Sequence, residues 1–363
     1  MEEDGYMARK RKVKKSKIAI LIAILLIIAL ALVLGINLLS GKDKEKNEEL
    51  KDKQKEEVVE PVKKLNIIDE DSNSRNIAVM YNNISTVWGY QSGLQDAYLV
   101  YEIIVEGGYT RLMAIYKDAD TARIGSVRSS RPYFLDYALE NDALYIHYGA
   151  SNQALKDISS LGVNNVNGMY YDKAFWRDKS LGLATEHTAF TSMEKITSAV
   201  EKKGYRTTTE VEPVLNYSVD EIDISTMDGA IPANKIFIEY SYSRSTTYDY
   251  DAENKVYLRT QGTSKGNYEH IDYKTKEQYT AKNIITYQVK NYRIDSKDRQ
   301  ALETIGGGSG YFITNGYAVP ITWEKRDRAS QTIYRYLNGE EIKVNDGNTY
   351  IQIQPVGKEL TIS

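Results

Sequence analysis

The sequence predicts an α+β protein with an N-terminal transmembrane helix, a mixed α/β N-terminal domain and a mainly antiparallel β C-terminal domain. Three observations support this class: a long apolar run near the N-terminus, alternating strand-like and helix-like patterns in the first half, and short tyrosine-rich strands in the second half. The 363 residues divide into six segments. They are a basic cytoplasmic tail (1–17), the transmembrane helix (18–39), a charged linker (40–65), the α/β domain (66–205), a second linker (206–230) and the β-rich domain (231–363).

The apolar run Ile18–Leu39 is long enough for a membrane helix. Its 22 residues span about 33 Å as a helix, and the hydrocarbon core of a bilayer is about 30 Å thick. Seven basic residues between Arg9 and Lys17 precede it, so we expect the N-terminus in the cytoplasm and the folded domains outside the cell membrane. The alternative is a cleaved signal peptide ending at Ala29-Leu30-Ala31, although the run is longer than a usual signal-peptide core.

Composition excludes several classes of function. The charges nearly balance, with a formal net charge of −3, so no nucleic-acid partner is expected. The absence of cysteine excludes disulfides, thiolate catalysis and a lipid-modified cysteine. With three histidines in the chain, neither Tyr268–Asp272 nor Asp249–Glu253 completes a metal-binding pattern. No metal and no cofactor are therefore expected.

The α/β domain begins with strands and continues with helices between them. Ala97–Val105 and Tyr109–Tyr116 are predicted strands of one hairpin, joined by a glycine-rich turn. A helix is predicted from Pro132, and Ala143–Tyr148 is predicted as a buried strand because it is almost wholly apolar. Ser151 is expected to cap a further helix.

The β-rich domain shows the two-residue alternation that is typical of strands. In Lys235–Ser243 (KIFIEYSYS), the side chains of Ile236, Ile238 and Tyr240 point to one face. The chain has 30 tyrosines, and their number here predicts half-buried strands whose rings pack while their hydroxyls stay hydrated.

A cluster of arginines is the main candidate for a functional site. Arg123, Arg128 and Arg131 precede a predicted helix, where guanidinium groups and free main-chain amides bind carboxylate or phosphate. His147 lies on the next strand and Ser151 follows it, which predicts a polar pocket at strand ends where His147 orients the anion or moves a proton. The alternative is a structural polar rim, in which one buried hydrogen bond holds His147 and acidic residues pair with the arginines. Those acidic residues are Glu102, Glu106, Asp136 and Glu140.

A second group of residues is predicted to form another wall of the same pocket. It consists of Trp176, Arg177, Asp178 and His187, with Trp176 stacking on a sugar or a peptide. The alternative for Trp176 is packing in the core. A Ser-His hydrolase is not supported, because Gly149–Gln153 lacks the glycine spacing of a nucleophile elbow and no acid partner can be assigned.

Long segments of the chain resemble a known family. MYNN, QSGLQDAYLVYEIIVEGGYTRLMAIY, RIGSVRSSRPYFLDYALENDALYIHYGAS, FWRD and KGYRT are similar to its N-terminal module, and YEHID, TAKNIITY, GSGYFITNGYAVPITWEKRDR and DGNTYIQIQP to its C-terminal module. The family is that of the YerB-like lipoproteins. The resemblance implies a two-module bacterial protein attached to the outside of a membrane, with no established biochemical role. Two features depart from the family: the lipid-attachment cysteine is absent, and Glu186-His187-Thr188 stands where relatives have Pro-His-Asn.

These observations predict a membrane-anchored, extracytoplasmic protein of the bacterial cell envelope that binds wall material or a protein partner through the N-terminal pocket and the tyrosine-rich sheet. The expected partners are the cell membrane, through residues 18–39, and a cell-wall polymer or an envelope protein. The alternative is a hydrolase or transferase that acts on wall glycan or peptide with His147 and a carboxylate.

Overall fold

The computed structural model describes residues 24–32 and 63–363. Residues 24–32 are helical, and their large apolar side chains are exposed. Within these two stretches, no helix combines the length and the apolar character that a membrane crossing requires. The rest of the predicted transmembrane helix 18–39 lies outside the described residues, as do the tail 1–17 and residues 40–62.

Residues 64–363 form one compact unit with three α-helices and 24 strands. The helices are α1 (Phe134–Glu140), α2 (Asn152–Ser160) and α3 (Met193–Lys202). The first eight strands are β1 (Ile77–Asn82), β2 (Leu99–Ile104), β3 (Thr110–Tyr116), β4 (Ile124–Gly125), β5 (Leu144–His147), β6 (Asn165–Asn167), β7 (Trp176–Arg177) and β8 (Ala189–Thr191). The others are β9 (Asn216–Ser218), β10 (Ile231–Pro232), β11 (Lys235–Ser241), β12 (Arg244–Asp251), β13 (Val256–Thr263), β14 (Gly266–Glu269), β15 (Thr280–Ala281), β16 (Asn283–Val289), β17 (Asn291–Arg293), β18 (Gln300–Leu302), β19 (Gly306–Thr314), β20 (Tyr317–Lys325), β21 (Ile333–Tyr336), β22 (Lys343–Asn345), β23 (Thr349–Pro355) and β24 (Leu360–Ile362).

An eleven-stranded mixed sheet contains strands from both halves of the sequence. Its order is β10-β20-β19-β16-β23-β2-β3-β1-β5-β6, and β21 also pairs with β20. The two halves join at the parallel pair β2–β23, where Tyr101 lies opposite Ile351. Strands β1 and β5 are also parallel, so their carboxyl ends, at Asn82 and His147, lie on the same edge of the sheet.

A second large sheet belongs wholly to the C-terminal half. It is antiparallel, with the order β14-β13-β12-β11-β24 and with β15 paired to β13. Three small sheets complete the unit: β4-β8-β7, the hairpin β17–β18 and the parallel pair β9–β22. Because the described chain has no α-helix after α3, the predicted mixed α/β class with a largely β C-terminal part is confirmed.

The core lies on both faces of the eleven-stranded sheet. On one face, Tyr101 of β2 packs in the cluster that contains Phe134 of α1. On the other face, Val100 of β2 packs in the cluster that contains Ile238 of β11. Successive residues of β2 therefore point to opposite faces that are both buried, which explains why this stretch of the sequence is apolar apart from Glu102.

Two buried ion pairs connect the two halves of the sequence. Arg259 Nη2 of β13 donates to Glu102 Oε2 of β2 at 2.7 Å, and Lys325 Nζ of β20 donates to Glu140 Oε2 of α1 at 2.7 Å. None of these four side chains has exposed surface. Because a buried charge without its partner is costly, each pair makes one half of the sequence depend on the other.

The structure differs from the sequence prediction in how the two halves meet. Residues 206–230, which were predicted as a linker, contain β9 and the buried side chains of Leu215, Tyr217 and Ile224. Periodicity within a segment does not show which distant strands pair, so the sequence could not predict the contact between β2 and β23. Separate folding of residues 66–205 and 215–363, which the change in sequence pattern near Gly204 suggests, stays a prediction.

The tyrosines lie deeper than predicted. Tyr240, Tyr248 and Tyr257 of the antiparallel sheet are fully buried in the cluster shared with the eleven-stranded sheet. Their hydroxyls find internal partners, as when Tyr240 Oη donates to Gln352 Oε1 at 2.8 Å. For these residues the prediction of hydrated hydroxyls is wrong, and this face of the tyrosine-rich sheet is not available to a ligand.

Candidate functional site

The loop 126–131 lies across the carboxyl ends of β1 and β5. The Arg128 amide donates to the Met80 carbonyl at 2.9 Å, and the Tyr148 amide donates to the Arg128 carbonyl at 3.1 Å. Ligand sites are common at the carboxyl ends of neighbouring parallel strands because the loops that follow the strands meet there. The backbone contacts therefore hold Arg128 and Arg131 at a favourable edge of the sheet.

The turn after β5 leads directly into α2. The Ser130 amide donates to the Gly149 carbonyl at 2.9 Å. Gly149 has a φ of +80°, and a Cβ atom there would lie 3.1 Å from Ser129 Oγ, so the turn requires glycine. Ser151 caps α2, since its Oγ accepts a hydrogen bond from the Ala154 amide at 3.2 Å. The first main-chain amides of α2 consequently lie beside the arginine loop.

An open cavity of about 520 Å³ lies between these segments, and we call it the arginine pocket. Five basic side chains and one acidic side chain line it, together with uncharged residues. The charged residues are Arg111, Arg128, Arg131, Lys297, Arg299 and Glu106, and the uncharged residues are Asn82, Ile84, Val105, Tyr109, Thr110, Ser129, Ala150, Ser151 and Asn152. The excess of positive charge suits the pocket to an anionic ligand.

Two of the arginines share the acidic residue of the pocket. Arg131 contacts both oxygens of Glu106, with Nη2 at 2.9 Å from Oε2, and also donates to the Ser130 carbonyl. Arg111 donates to the Ser129 carbonyl, and its Nη2 lies 3.8 Å from Glu106. Burial raises the pKa of Glu106, but the hydrogen bond and the charge of Arg131 outweigh burial and lower that pKa below its ordinary value. Burial lowers the pKa of Arg111 to about 9.

Arg128 differs from these arginines because it has no acidic partner. Its Nη1 donates to the main-chain carbonyl of Glu186 at 2.9 Å, and no carboxylate in residues 63–363 forms an ion pair with it. Burial lowers the pKa of Arg128, and the charges of Arg131 and Arg177 lower it further, although the Glu186 carboxylate acts in the opposite direction. An anion bound here would compensate a half-buried positive charge.

The β17–β18 hairpin forms a second wall of the arginine pocket. Lys297 and Arg299 lie in its turn. The Gly107 amide donates to Asp298 Oδ2 at 2.7 Å, which connects this turn to the β2–β3 hairpin. Arg299 is paired with Asp295, whereas Lys297 is exposed and forms no ion pair within residues 63–363. Lys297 is therefore available to an anion.

His147 lies behind the arginine pocket. Its side chain is fully buried, with Nδ1 donating to the Gly149 carbonyl at 2.7 Å and Nε2 at 3.3 Å from Asn165 Oδ1. Burial lowers its pKa. Because both ring nitrogens are engaged inside the protein, His147 cannot exchange a proton with a ligand in the pocket. Its contacts instead fix the turn at Gly149, as in the alternative of a structural histidine.

Three other predicted residues, Trp176, Arg177 and Asp178, do not line the arginine pocket. Trp176 stacks on Phe190, with 6.2 Å between the ring centres, and Arg177 lies over a tyrosine ring. Asp178 forms an ion pair with Arg123 at 2.9 Å. The structure thus shows that the side chains of Trp176 and Asp178 make contacts with other residues of the protein.

His187 does not line the arginine pocket, but it contacts one of the lining residues, Asn82. Asn82 Nδ2 donates to His187 Nδ1 at 3.1 Å. Burial lowers the pKa of His187, and the charge of Arg128 lowers it further. His187 is therefore a neighbour of the pocket that is uncharged near neutral pH.

Sequence reasoning missed three basic residues of the pocket, Arg111, Lys297 and Arg299. Arg111 is the only charged residue of β3, whose other residues are apolar apart from Thr110, and this is the signal that could have identified it. The hairpin with Lys297 is distant in sequence, so no spacing relates it to Arg128. The helix end beside the arginines was also misassigned, because it belongs to α2 and not to the helix that follows Pro132.

No cluster of histidine, aspartate and glutamate in residues 24–32 and 63–363 could hold a metal ion. His270, considered as a ligand in the sequence, is fully buried and contacts Arg259 and Gln91. Burial and the charges of Arg259 and Arg244 lower its pKa well below the ordinary value.

Comparison with known proteins assigns the chain to a family. Residues 65–206 match the N-terminal domain, and residues 236–351 the C-terminal domain, of a protein of unknown function (DUF3048). These segments together make up most of the chain, which therefore belongs to this family.

The similarity to one member extends through sequence and fold. The chain is 29% identical over 289 residues to "Putative lipoprotein YerB" of Bacillus subtilis (strain 168), covering 77% of this chain and 81% of that protein. The crystal structure of the YerB protein from Bacillus subtilis matches with a TM-score of 0.68 at 26% identity, covering 79% of this chain and 94% of that one. The resemblance noted in the sequence is confirmed.

Proposed function

We propose that this protein is a membrane-anchored protein of the bacterial cell envelope that binds an anionic group, from wall material or a protein partner, in the arginine pocket. The name of its Bacillus subtilis relative, a lipoprotein, supports attachment outside a membrane. In this chain, which has no cysteine, the apolar run Ile18–Leu39 would serve as a single-pass anchor. The basic residues before it favour a cytoplasmic N-terminus and an extracytoplasmic folded unit.

The environment of Arg128 is the observation on which the binding function depends. A half-buried guanidinium without an acidic partner, next to other cations, leaves charge that a ligand can compensate. Hydrolysis or group transfer, the alternative, is not favoured because His147 is buried behind the pocket.

Two substitutions separate the ligand-binding role from the structural role. Arg128→Gln is expected to keep the thermal stability and to weaken retention on purified cell wall by roughly 10- to 100-fold, as for the loss of a hydrogen bond to a charged group. Arg131→Gln is expected to lower the melting temperature, because Glu106 would lose its main partner.

Arg326→Gln provides the matched control. Arg326 is 83% exposed and lies outside the pocket lining, so its replacement removes the same charge elsewhere. Retention should stay at the wild-type level. If Arg128→Gln binds as well as the parent, or weakens no more than Arg326→Gln does, the proposed function is wrong.

A further inference from the structure

We infer that the anion bound by the arginine pocket is a polyol-phosphate polymer, a chain of hydroxyl-bearing units joined by phosphodiesters. The inference rests on the proposed function and specifies the chemical class of its ligand.

The charges of the pocket favour a ligand with more than one anionic group. Glu106 and Asp295 already pair with Arg131 and Arg299. Arg128 and Lys297, which come from different elements, have no ion pair within residues 63–363. A single monoanion supplies one negative charge for two such cations, whereas a polymer with repeated charges can supply one for each.

The size of the pocket agrees with an extended ligand. Its volume of about 520 Å³ corresponds to on the order of 15 water molecules. One phosphate group would leave most of this space unfilled. Two phosphates with the unit between them would occupy more of it while they approach Arg128 and Lys297.

The uncharged lining favours a ligand with hydroxyl groups. Asn152 contributes a carboxamide that can exchange hydrogen bonds with alcohols. The Ser151 hydroxyl, which accepts from the Ala154 amide, keeps its own hydrogen to donate, and the Ser129 hydroxyl, which donates to the Tyr148 carbonyl, keeps its oxygen to accept. Tyr109 at the rim is 42% exposed and offers a ring face to the C–H groups of a polyol. A polycarboxylate peptide such as polyglutamate has no hydroxyls to match these groups.

The donors around Arg128 suit a phosphate in particular. The start of α2, a helix of nine residues, lines the same pocket as Arg128 through Ser151 and Asn152, so main-chain amides and a guanidinium are both present as donors. A tetrahedral phosphodiester presents oxygens in more than one plane, whereas a carboxylate presents two in a single plane. Outside the tail 1–17 the chain is net acidic, so we expect polyanion binding to be confined to the pocket and weakened by salt.

The test measures equilibrium binding of the full chain, purified in a neutral detergent, to three soluble probes. They are poly(glycerol phosphate), polyglutamate with the same number of charges, and inorganic phosphate. We expect poly(glycerol phosphate) to bind at least tenfold more tightly than polyglutamate. Arg128→Gln and Lys297→Gln should each weaken it at least fivefold, and Arg326→Gln should not. Inorganic phosphate should respond to Arg128→Gln alone, because the proposed site for a single anion is at Arg128 and Lys297 is an exposed side chain on a separate hairpin.

Other outcomes overturn the inference in distinguishable ways. If polyglutamate binds as tightly as poly(glycerol phosphate) and depends on Arg128, the polymer class is wrong and the proposed anion site stands. If neither the soluble probes nor vesicles of phosphatidylglycerol bind, or if binding ignores Arg128, both the polymer class and the proposed anion site are wrong. Vesicles of phosphatidylglycerol present the same phosphodiester singly on a membrane. Arg128-dependent binding to these vesicles without binding to the polymer would assign the site to a lipid headgroup and contradict the inference.

Discussion

Replacing Lys325 by methionine should destabilise both halves of the protein at once. The substitution keeps most of the side-chain volume but leaves the buried Glu140 carboxylate without its cation. Glu140 keeps hydrogen bonds from the Tyr101 hydroxyl at 2.7 Å and from the Thr332 amide at 3.0 Å, which do not neutralise its charge. Breaking a buried ion pair by removing one partner costs about 3–5 kcal/mol. With a denaturation slope of about 3 kcal/mol per M urea, the midpoint should fall by about 1–1.7 M.

Urea unfolding followed by circular dichroism and by tryptophan fluorescence measures this effect. Trp88 and Trp176 report on the N-terminal half and Trp323 on the C-terminal half. The urea midpoints measured by circular dichroism and by tryptophan fluorescence should therefore fall by the same amount. Lys255→Met is the matched control, because Lys255 and its partner Glu221 are each about half exposed, and it should give no measurable shift. A small shift for Lys325→Met, or a change confined to one half, would refute the shared core.

Two further predictions concern the histidines and the membrane. Burial lowers the pKa of His147 and of His270, so the unfolded state binds more protons below pH 6.5. The free energy of unfolding should then fall with decreasing pH by up to about 1.4 kcal/mol per pH unit for each. Urea unfolding at pH 7.5 and 5.5 tests this, and an unchanged free energy would contradict it. Protease added to intact protoplasts should remove the folded unit and leave a membrane fragment with Ile18–Leu39. Protection, or a mature chain that begins after Ala31, would refute the anchor.

Local patterns in the sequence correctly predicted those structural features that depend on interactions between neighbouring residues. The apolar β2–β3 hairpin and the cap of α2 by Ser151 depend on neighbouring residues, and the structure contains both. Arg128 could be proposed as a binding residue from the sequence, because its position in a loop beside the end of a strand is also a local feature. Local sequence could not show that Arg131 pairs with Glu106, because a guanidinium can form its ion pair either with an acidic side chain of the protein or with an anionic ligand.

Long-range pairing accounts for what the sequence could not predict. The contact of β2 with β23 joins strands from opposite ends of the unit, and the turn with Lys297 reaches the pocket only after such pairing. The choice between the two interpretations of His147 depended on long-range pairing as well. Its position at a strand end is local, whereas its burial depends on β6, which is paired to β5 in parallel.

An anion should bind in the arginine pocket between Arg128 and the start of α2. Anomalous diffraction from a selenate-soaked crystal of Lys64–Ser363, in a form that leaves the pocket open to solvent, locates such an anion directly. We predict a selenium peak within about 4 Å of the Arg128 guanidinium and close to the Asn152 amide, and its loss in crystals of Arg128→Gln. Selenate peaks at other surface cations, with none in the open pocket, would contradict anion binding at this site.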